Sequence, residues 1–178
     1  MIKHKKMFNK TWILFILLIF ITNQKVFAFN QGQLEKYKLS KNCEYCDLSG
    51  SKLENLNLQG SNLQNAKLEN VSLVGSDLSP KKMEKMTLYT NLESCNLRYA
   101  DLSGADLTLS KLNNSYFKGA VLKNVVFNGS DMSSGNFSGA DLTDADLTDA
   151  NLTDANLSGA IFCRTIMPSG EKNNSDCN

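Results

Sequence analysis

Histidine is almost absent from this chain, and its scarcity excludes the common arrangements for nucleophilic catalysis. The sequence contains only His4, close to the N-terminus. Ser–His and Cys–His nucleophiles need an imidazole base, and zinc sites are built mainly from histidines and closely spaced cysteine pairs. We therefore predict a protein that is not an enzyme and has no catalytic, cofactor-binding or metal-binding residues.

Long apolar stretches are also missing. The apolar run from Trp12 to Ile21 has ten residues, too few for the roughly 30 Å hydrocarbon core of a bilayer. Lysines precede this run, and it is followed by Val26-Phe27-Ala28, a plausible cleavage site. We predict that residues 1–28 are a secretory signal peptide, with a retained anchor helix as the alternative. The mature protein would then be secreted or periplasmic, without a membrane span.

The chain lacks a strong excess of positive charge. Its formal net charge is +1, but removal of residues 1–28 would leave 14 basic and 18 acidic residues, a net charge of −4. Nucleic-acid-binding domains usually carry a basic patch. The charge balance therefore favours no nucleic-acid partner.

What the chain does have is a leucine, or a substitute for it, at nearly every fifth position from Leu48 to Met167. We call this position the centre of a pentad. Sixteen consecutive centres, from Leu92 to Met167, keep one frame. The residue two places before a centre is usually small, and the residue between them is most often Asp or Asn. The clearest stretch is residues 140–159, which read ADLTD-ADLTD-ANLTD-ANLSG.

This spacing suits a short strand and not a helix. At 100° per residue, leucines five apart would spiral around a helix and leave no buried stripe. In a strand, residues two apart share a face, so the leucine and the small residue point inward and the Asp or Asn points outward. The remaining two positions are polar or glycine, as corners require. Each pentad thus predicts one short side of a coil followed by a turn.

The pattern resembles that of the pentapeptide-repeat family over residues 46–167. The resemblance implies an all-β fold, a right-handed, four-sided parallel β-helix with four pentads per coil, whereas spacing alone also allows a three-sided coil. About 25 centres then give about six coils, roughly 30 Å in height. Residues 29–45 are predicted to form an N-terminal cap, and residues 168–178 a C-terminal tail cap.

The frame breaks down over residues 79–91. Met83 and Leu88 are weak centres, and Leu92 follows Leu88 after four residues. Ser79 and Pro80 suit the N-cap and first turn of a helix. We expect an irregular side or a short helical excursion that divides the coil into two blocks, with two degenerate pentads still in the wall as the alternative.

All five cysteines follow the predicted signal peptide, as expected for an oxidising compartment. Cys43 and Cys46 precede the first coil, and Cys163 and Cys177 lie at its C-terminal end. Because a β-helix has two open ends, we predict one disulfide at each end. Cys95 occupies a small-residue position and is predicted to be a buried free thiol. A redox role for Cys43 and Cys46 is the less favoured reading, since no βαβ context accompanies them.

The acidic run from Asp141 to Asp154 suggests calcium, but the repeat separates its carboxylates onto different sides of one coil. Six to eight oxygens must converge on a calcium ion, so a solvated surface is the better interpretation. Five positions assigned as outward carry apolar residues, which can mark a partner or self-association surface. They are Leu109, Tyr116, Val121, Val126 and Ile161.

These observations predict an exported bacterial β-helical protein that binds a partner or serves a structural role. The partner is expected to be a protein or an envelope component, with a homodimer possible and nucleic acid excluded. One alternative follows from the family resemblance, whose DNA-mimicking branch protects topoisomerases in the cytoplasm. A less favoured alternative is an extracytoplasmic thiol redox protein that uses Cys43 and Cys46.

Overall fold

The fold is organised by parallel backbone bridges between segments that lie one coil apart. The computed structural model describes residues 40–177; the predicted signal peptide and residues 29–39 of the predicted cap lie outside this range. Bridged residues are separated by 20 positions, except where the step is 29. They form four columns of six residues, which define four faces and six coils. The columns are 42, 62, 91, 111, 131 and 151 on the first face; 47, 67, 96, 116, 136 and 156 on the second; 52, 72, 101, 121, 141 and 161 on the third; and 57, 77, 106, 126, 146 and 166 on the fourth.

The wall begins at Asn42, four residues before the predicted start. Cys43 takes the centre position of the first pentad and is 5% exposed. The sequence concealed this pentad because a cysteine stands where the pattern expects leucine. Residues 42–45 therefore belong to the wall and not to a separate cap.

The interior follows the predicted alternation. Leu102, Leu122 and Leu142 are fully buried and lie one above another, because their preceding residues are bridged in one column. Small residues line the other inward position, as Ala100 and Ala120 do. The rings of Phe117 and Phe137 stack with centroids 4.8 Å apart. Two large inward side chains per pentad would overfill this space, so the small residue is a packing requirement.

Apart from the corner at residues 79–91, the corners of the coil are tight turns with a positive φ at the third residue. In the turn 142–145, the Ala145 amide donates to the Leu142 carbonyl at 3.0 Å, and Asp144 has φ 58°. A positive φ at this position alone is typical of a type II turn, which favours Gly, Asn and Asp there. The outward Asp141 supports the same turn by accepting hydrogen bonds from the amide and hydroxyl of Thr143.

Residues 79–91 form a β-hairpin, so the predicted helical excursion is wrong. Strand β1 (Lys81–Lys82) pairs antiparallel with β2 (Thr87–Leu88). The alternative of two degenerate pentads is also wrong, because Met83 and Leu88 are exposed. The hairpin does not divide the coil, since Asp77 is bridged to Asp106 and Asn62 to Asn91 across it. The 29-residue step means that the hairpin adds nine residues at one corner.

The hairpin folds back over the corner of the first coil. A Cβ placed on Gly60 would lie 2.9 Å from Cβ of Leu88 and 3.1 Å from Cβ of Lys81. Thr90, which ends the excursion, accepts a hydrogen bond from the Gly60 amide at 3.1 Å. The φ of +64° favours glycine at position 60, and the close approach of the hairpin leaves no room there for a Cβ.

The C-terminal tail forms a second hairpin against the last coil. Strand β3 (Thr165–Ile166) pairs antiparallel with β4 (Lys172–Asn173). The Asp176 amide donates to the Phe162 carbonyl, and the Asp176 carboxylate accepts from the Phe162 amide. The tail thus runs back along the third and fourth faces, whereas Leu152 and Leu157 in the last coil stay only partly buried. No helix within residues 40–177 has the length and apolar character needed to cross a membrane.

Candidate functional site

The outward side chains form regular columns, and these columns are the main candidate binding surfaces. Each face presents one residue per coil at a spacing of about 4.8 Å. Many of these side chains are engaged in local bonds; Asn151, for example, donates to Asp131 one coil away at 3.1 Å. Hydrogen bonds between outward side chains on successive coils make each face a stiff, polar surface. The type of side chain on a face can change only from one coil to the next.

Acidic residues concentrate in the fifth coil but do not converge. Asp101 and Asp141 share the third face with Val121 between them. Burial raises the pKa of Asp141, but hydrogen bonds from Thr143 and Lys123 together outweigh it and hold that pKa below its usual value. Hydrogen bonds from the Arg164 guanidinium lower the pKa of Asp144. Within residues 40–177, no group of three or more His, Cys, Asp or Glu side chains could hold a metal ion.

The two predicted cysteine pairs lie at bonding distance, one at each end of the ladder. The sulfur atoms of Cys43 and Cys46 are 2.02 Å apart, and those of Cys163 and Cys177 are 2.08 Å apart. The first pair joins the first two sides of the wall. The second pair ties the returning tail to the corner between the third and fourth faces.

Cys95 is fully buried and takes no part in a disulfide. Its thiol lies 2.8 Å from the Leu63 carbonyl oxygen in the neighbouring coil. Burial raises the pKa of Cys95 to about 12, an effect only partly offset by a hydrogen bond from the backbone of Ala66. A thiol that is both inaccessible and protonated is a poor nucleophile.

Iodoacetamide should therefore leave Cys95 unmodified in the native protein at pH 8 and alkylate it completely in urea. Tyr99→Cys provides the matched control, because position 99 is a corner four residues away and its side chain is 55% exposed. The introduced thiol should react within minutes under native conditions. Rapid native labelling of Cys95 itself would contradict the burial of this position. Intact-mass spectrometry measures both reactions.

The hairpin forms an exposed cationic and apolar projection. Every residue from 81 to 89 is exposed. Lys81, Lys82 and Lys85 provide three positive charges against one negative charge on Glu84. Met83 and Met86, which close the tip through an amide–carbonyl bond of 2.9 Å, are 52% and 56% exposed. Large exposed apolar side chains grouped in this way are unusual and indicate an interaction surface.

The hairpin and Leu109 lie at the same corner, between the fourth and first faces. We call it the hairpin corner. Because Asn91 is bridged to Lys111, the turn that carries Leu109 lies one coil after the point where the hairpin returns to the wall. Tyr89 is 47% and Leu109 46% exposed. Leu109 was predicted from the sequence as an exposed apolar residue, but the hairpin was not predicted. The spacing that indicates an inserted segment is the step of 14 residues from Leu78 to Leu92, which is not a multiple of five.

The other predicted outward apolar residues are dispersed. Tyr116 on the second face is exposed and lies under the Arg98 guanidinium, 5.2 Å from the ring centroid. Ile161 is exposed on the third face, whereas Val121 and Val126 are half-buried between polar neighbours. These residues do not join into one patch.

The comparisons with known proteins agree with this architecture. The family model described as pentapeptide repeats matches eight copies within residues 42–79 and 88–167. The crystal structure of Rfr23, a pentapeptide repeat protein from the cyanobacterium Cyanothece 51142, is 24% identical, with a TM-score of 0.66, over 73% of this chain and 97% of that one. A structure of QnrB1, a plasmid-mediated fluoroquinolone resistance protein, is 20% identical, with a TM-score of 0.50, over 67% and 66% of the two chains.

No curated protein matches this sequence significantly. The family model nevertheless covers well over half of the chain, and its gap at residues 80–87 coincides with the hairpin. The resemblance seen in the sequence is thus confirmed: the chain belongs to the pentapeptide-repeat family.

Proposed function

We propose that the protein is an exported, non-enzymatic binding protein whose partner contacts the outer surface of a right-handed β-helix. The observation that carries this proposal is the pairing of cysteines at both ends of the ladder. Glutathione and thioredoxin keep such cysteines reduced in the cytosol, whereas they persist as disulfides outside it. The basic and apolar segment 1–28 supports the same compartment from sequence.

The surface favours binding over catalysis. A reaction site needs converging groups in a concave, water-excluding pocket, and the repeat instead distributes its polar side chains over convex faces. A protein or an envelope component with a regular surface fits this arrangement. The regular spacing of side chains would give such a partner many weak contacts along one face.

The alternative of a cytoplasmic DNA mimic is less well supported. A mimic of duplex DNA needs closely spaced negative charges along its length. Here each face mixes carboxylates with neutral or positive side chains: Asp47 stands beside Lys67 on the second face, and Asp101 beside Val121 on the third. The likeness to QnrB1 concerns the fold alone.

A reporter fusion distinguishes the compartments. Alkaline phosphatase joined after Asn178 should be active, since that enzyme needs export to form its own disulfides. Deletion of residues 2–28 provides the control and should abolish activity without lowering the amount of fusion protein. Equal activity of both fusions, or inactivity of the full-length one, would contradict export.

A second experiment tests binding. The purified protein, immobilised through its C-terminus, should retain a specific envelope component from the organism's extract.

A third experiment tests the redox alternative. A reduction potential of the Cys43–Cys46 pair below about −300 mV would agree with a structural disulfide. A much higher potential would support the redox alternative instead.

A further inference from the structure

We propose that the disulfide between Cys163 and Cys177 is a site of thiol exchange, which a protein dithiol opens by attacking Cys177. Opening this disulfide releases the C-terminal tail from the last coil. The redox alternative drawn from the sequence concerned Cys43 and Cys46, whereas the structure places an exposed cysteine and a neighbouring cation at the other end of the coil. Two features distinguish the C-terminal pair: the exposure of one cysteine and the group that contacts the other.

The two disulfides differ in the exposure of their cysteines. Cys43 and Cys46 are only 5% and 6% exposed, which leaves a reductant little access to either of them. Cys163 is likewise buried, but Cys177 is exposed near the end of the tail. Exchange begins when a thiolate reaches one sulfur of a disulfide, and exposed disulfides are the labile ones. We therefore expect attack at Cys177, with Cys163 as the leaving sulfur.

The guanidinium of Arg164 contacts the leaving sulfur. Its Nη1 lies 3.5 Å from Sγ of Cys163. Its Nε and Nη2 donate to the two carboxylate oxygens of Asp144, at 2.6 Å and 2.5 Å. The ion pair with Asp144 thus fixes the guanidinium and leaves the third nitrogen directed at the sulfur. Because a guanidinium stays protonated, it stabilises the negative charge that develops on Cys163 as the disulfide breaks.

The acidic residue beside the attacked cysteine is engaged elsewhere. Asp176 directly precedes Cys177, and a free carboxylate at this position would repel an approaching thiolate. Its carboxylate instead accepts hydrogen bonds from the Phe162 amide at 2.9 Å and from the Ser175 hydroxyl at 3.0 Å. These two donors hold the negative charge of Asp176 towards the last coil and reduce its effect on the exposed sulfur.

The exchange balances with the dithiol as its only reactant. A thiolate of the reductant forms a bond to Sγ of Cys177, the bond between the two protein sulfurs breaks, and Cys163 leaves as a thiolate. The second thiol of the reductant then attacks the reductant's own sulfur in the mixed disulfide and releases Cys177. The reductant ends as a disulfide, and the protein gains two electrons and two protons.

Without the disulfide, few contacts hold the tail. Strand β4 pairs with β3 over two residues only. The amides of Phe162 and Arg164 donate to the side chains of Asp176 and Asn174 on the tail, in hydrogen bonds that are exposed to water. Exposed hydrogen bonds contribute little net stability, because water replaces them. Reduction should therefore free residues 168–177 and uncover the edge of the last coil on the third and fourth faces.

The first test is reduction of the native protein by reduced thioredoxin, stopped at intervals with N-ethylmaleimide and analysed by peptide mapping. We expect Cys163 and Cys177 to be labelled on the order of 10-fold faster than Cys43 and Cys46. Equal rates, earlier opening of the N-terminal pair, or resistance of both pairs would overturn the proposal. Thioredoxin that lacks its resolving cysteine should become linked to Cys177, and linkage to Cys163 would contradict the assigned point of attack.

Arg164→Gln separates stabilisation of the leaving sulfur from support of the tail. Loss of the guanidinium should slow the opening on the order of 10-fold, whereas loosening of the tail would accelerate it. Arg164→Lys keeps the charge and should restore much of the rate. Arg98→Gln is the matched control, because it makes the same change at an exposed corner of the third coil, away from the tail; it should leave the rate unchanged. Opening of Arg164→Gln at the unmodified rate or faster would exclude the role of the guanidinium.

Hydrogen exchange measured by NMR tests whether reduction releases the tail. Once thioredoxin has opened the C-terminal pair alone, the amides of Phe162 and Arg164 should lose protection, since their acceptors lie on the tail. The Ile161 amide donates to the Ala140 carbonyl within the wall and should stay protected. Unchanged protection of Phe162 and Arg164 would overturn the release of the tail. Loss of protection at Ile161 as well would contradict a change confined to the tail.

Discussion

Phe117→Ala should lower the free energy of unfolding by about 3–5 kcal/mol, the range measured for buried aromatic truncations. Phe117 is fully buried and its ring stacks on Phe137. Removing it leaves a cavity between two coils, and the hydrogen bonds on all four sides prevent the walls from closing it. Urea unfolding followed by circular dichroism measures the change.

Tyr116→Ala is the matched control, because it removes a similar ring one residue away on the outside of the same side. Tyr116 is 44% exposed and contacts Arg98, so its loss should cost less than about 1.5 kcal/mol. Equal effects of the two substitutions would contradict the assigned inward and outward positions.

Loss of the C-terminal disulfide should have the second largest effect. Replacing Cys163 and Cys177 by alanine opens a loop of about 15 residues, worth about 3 kcal/mol in the chain-entropy model. The tail should then separate from the last coil, because the remaining contacts of the tail are a two-residue strand pair and a few hydrogen bonds around Phe162. Unfolding in urea and trypsin cleavage after Lys172 both report the change.

The N-terminal pair provides the comparison for this result. Cys43 and Cys46 enclose only four residues, for which the same relation gives about 2 kcal/mol. Their replacement by alanine should leave cleavage at Lys172 unchanged. An unfolding free energy that is insensitive to both double substitutions would show that neither pair is oxidised in the purified protein.

The interior of this protein could be predicted from the sequence because every pentad has to place one leucine and one small residue in the same narrow space. A period of five, with a small residue two places before each leucine, allows one alternation only, and residues such as Leu122 and Ala120 were assigned correctly from it. Cys95 followed from the same frame. The first pentad was missed because Cys43 is buried at a centre position where the sequence pattern expects leucine.

The hairpin could not be predicted, because its local signals point elsewhere. Ser79-Pro80 is typical of a helix start, yet Ser79 serves the corner, where its amide and hydroxyl both donate to Asp77. A helix of so few residues has little intrinsic stability. The hairpin is held instead by its close packing of Lys81 and Leu88 against Gly60, a contact between residues more than 20 positions apart. Such contacts lie outside any local pattern.

The ladder has a consequence for how this protein can change in evolution. Within residues 40–177 every parallel bridge joins one coil to the next, so a gene duplication or deletion of 20 codons would add or remove one coil and leave the neighbouring coils paired. An insertion at a corner is equally tolerated, as the nine extra residues before Leu92 demonstrate. Selection can therefore act separately on the number of coils and on the insertions at the corners. The number of coils sets the area of the outer surface, and the corner insertions set which partner recognises it.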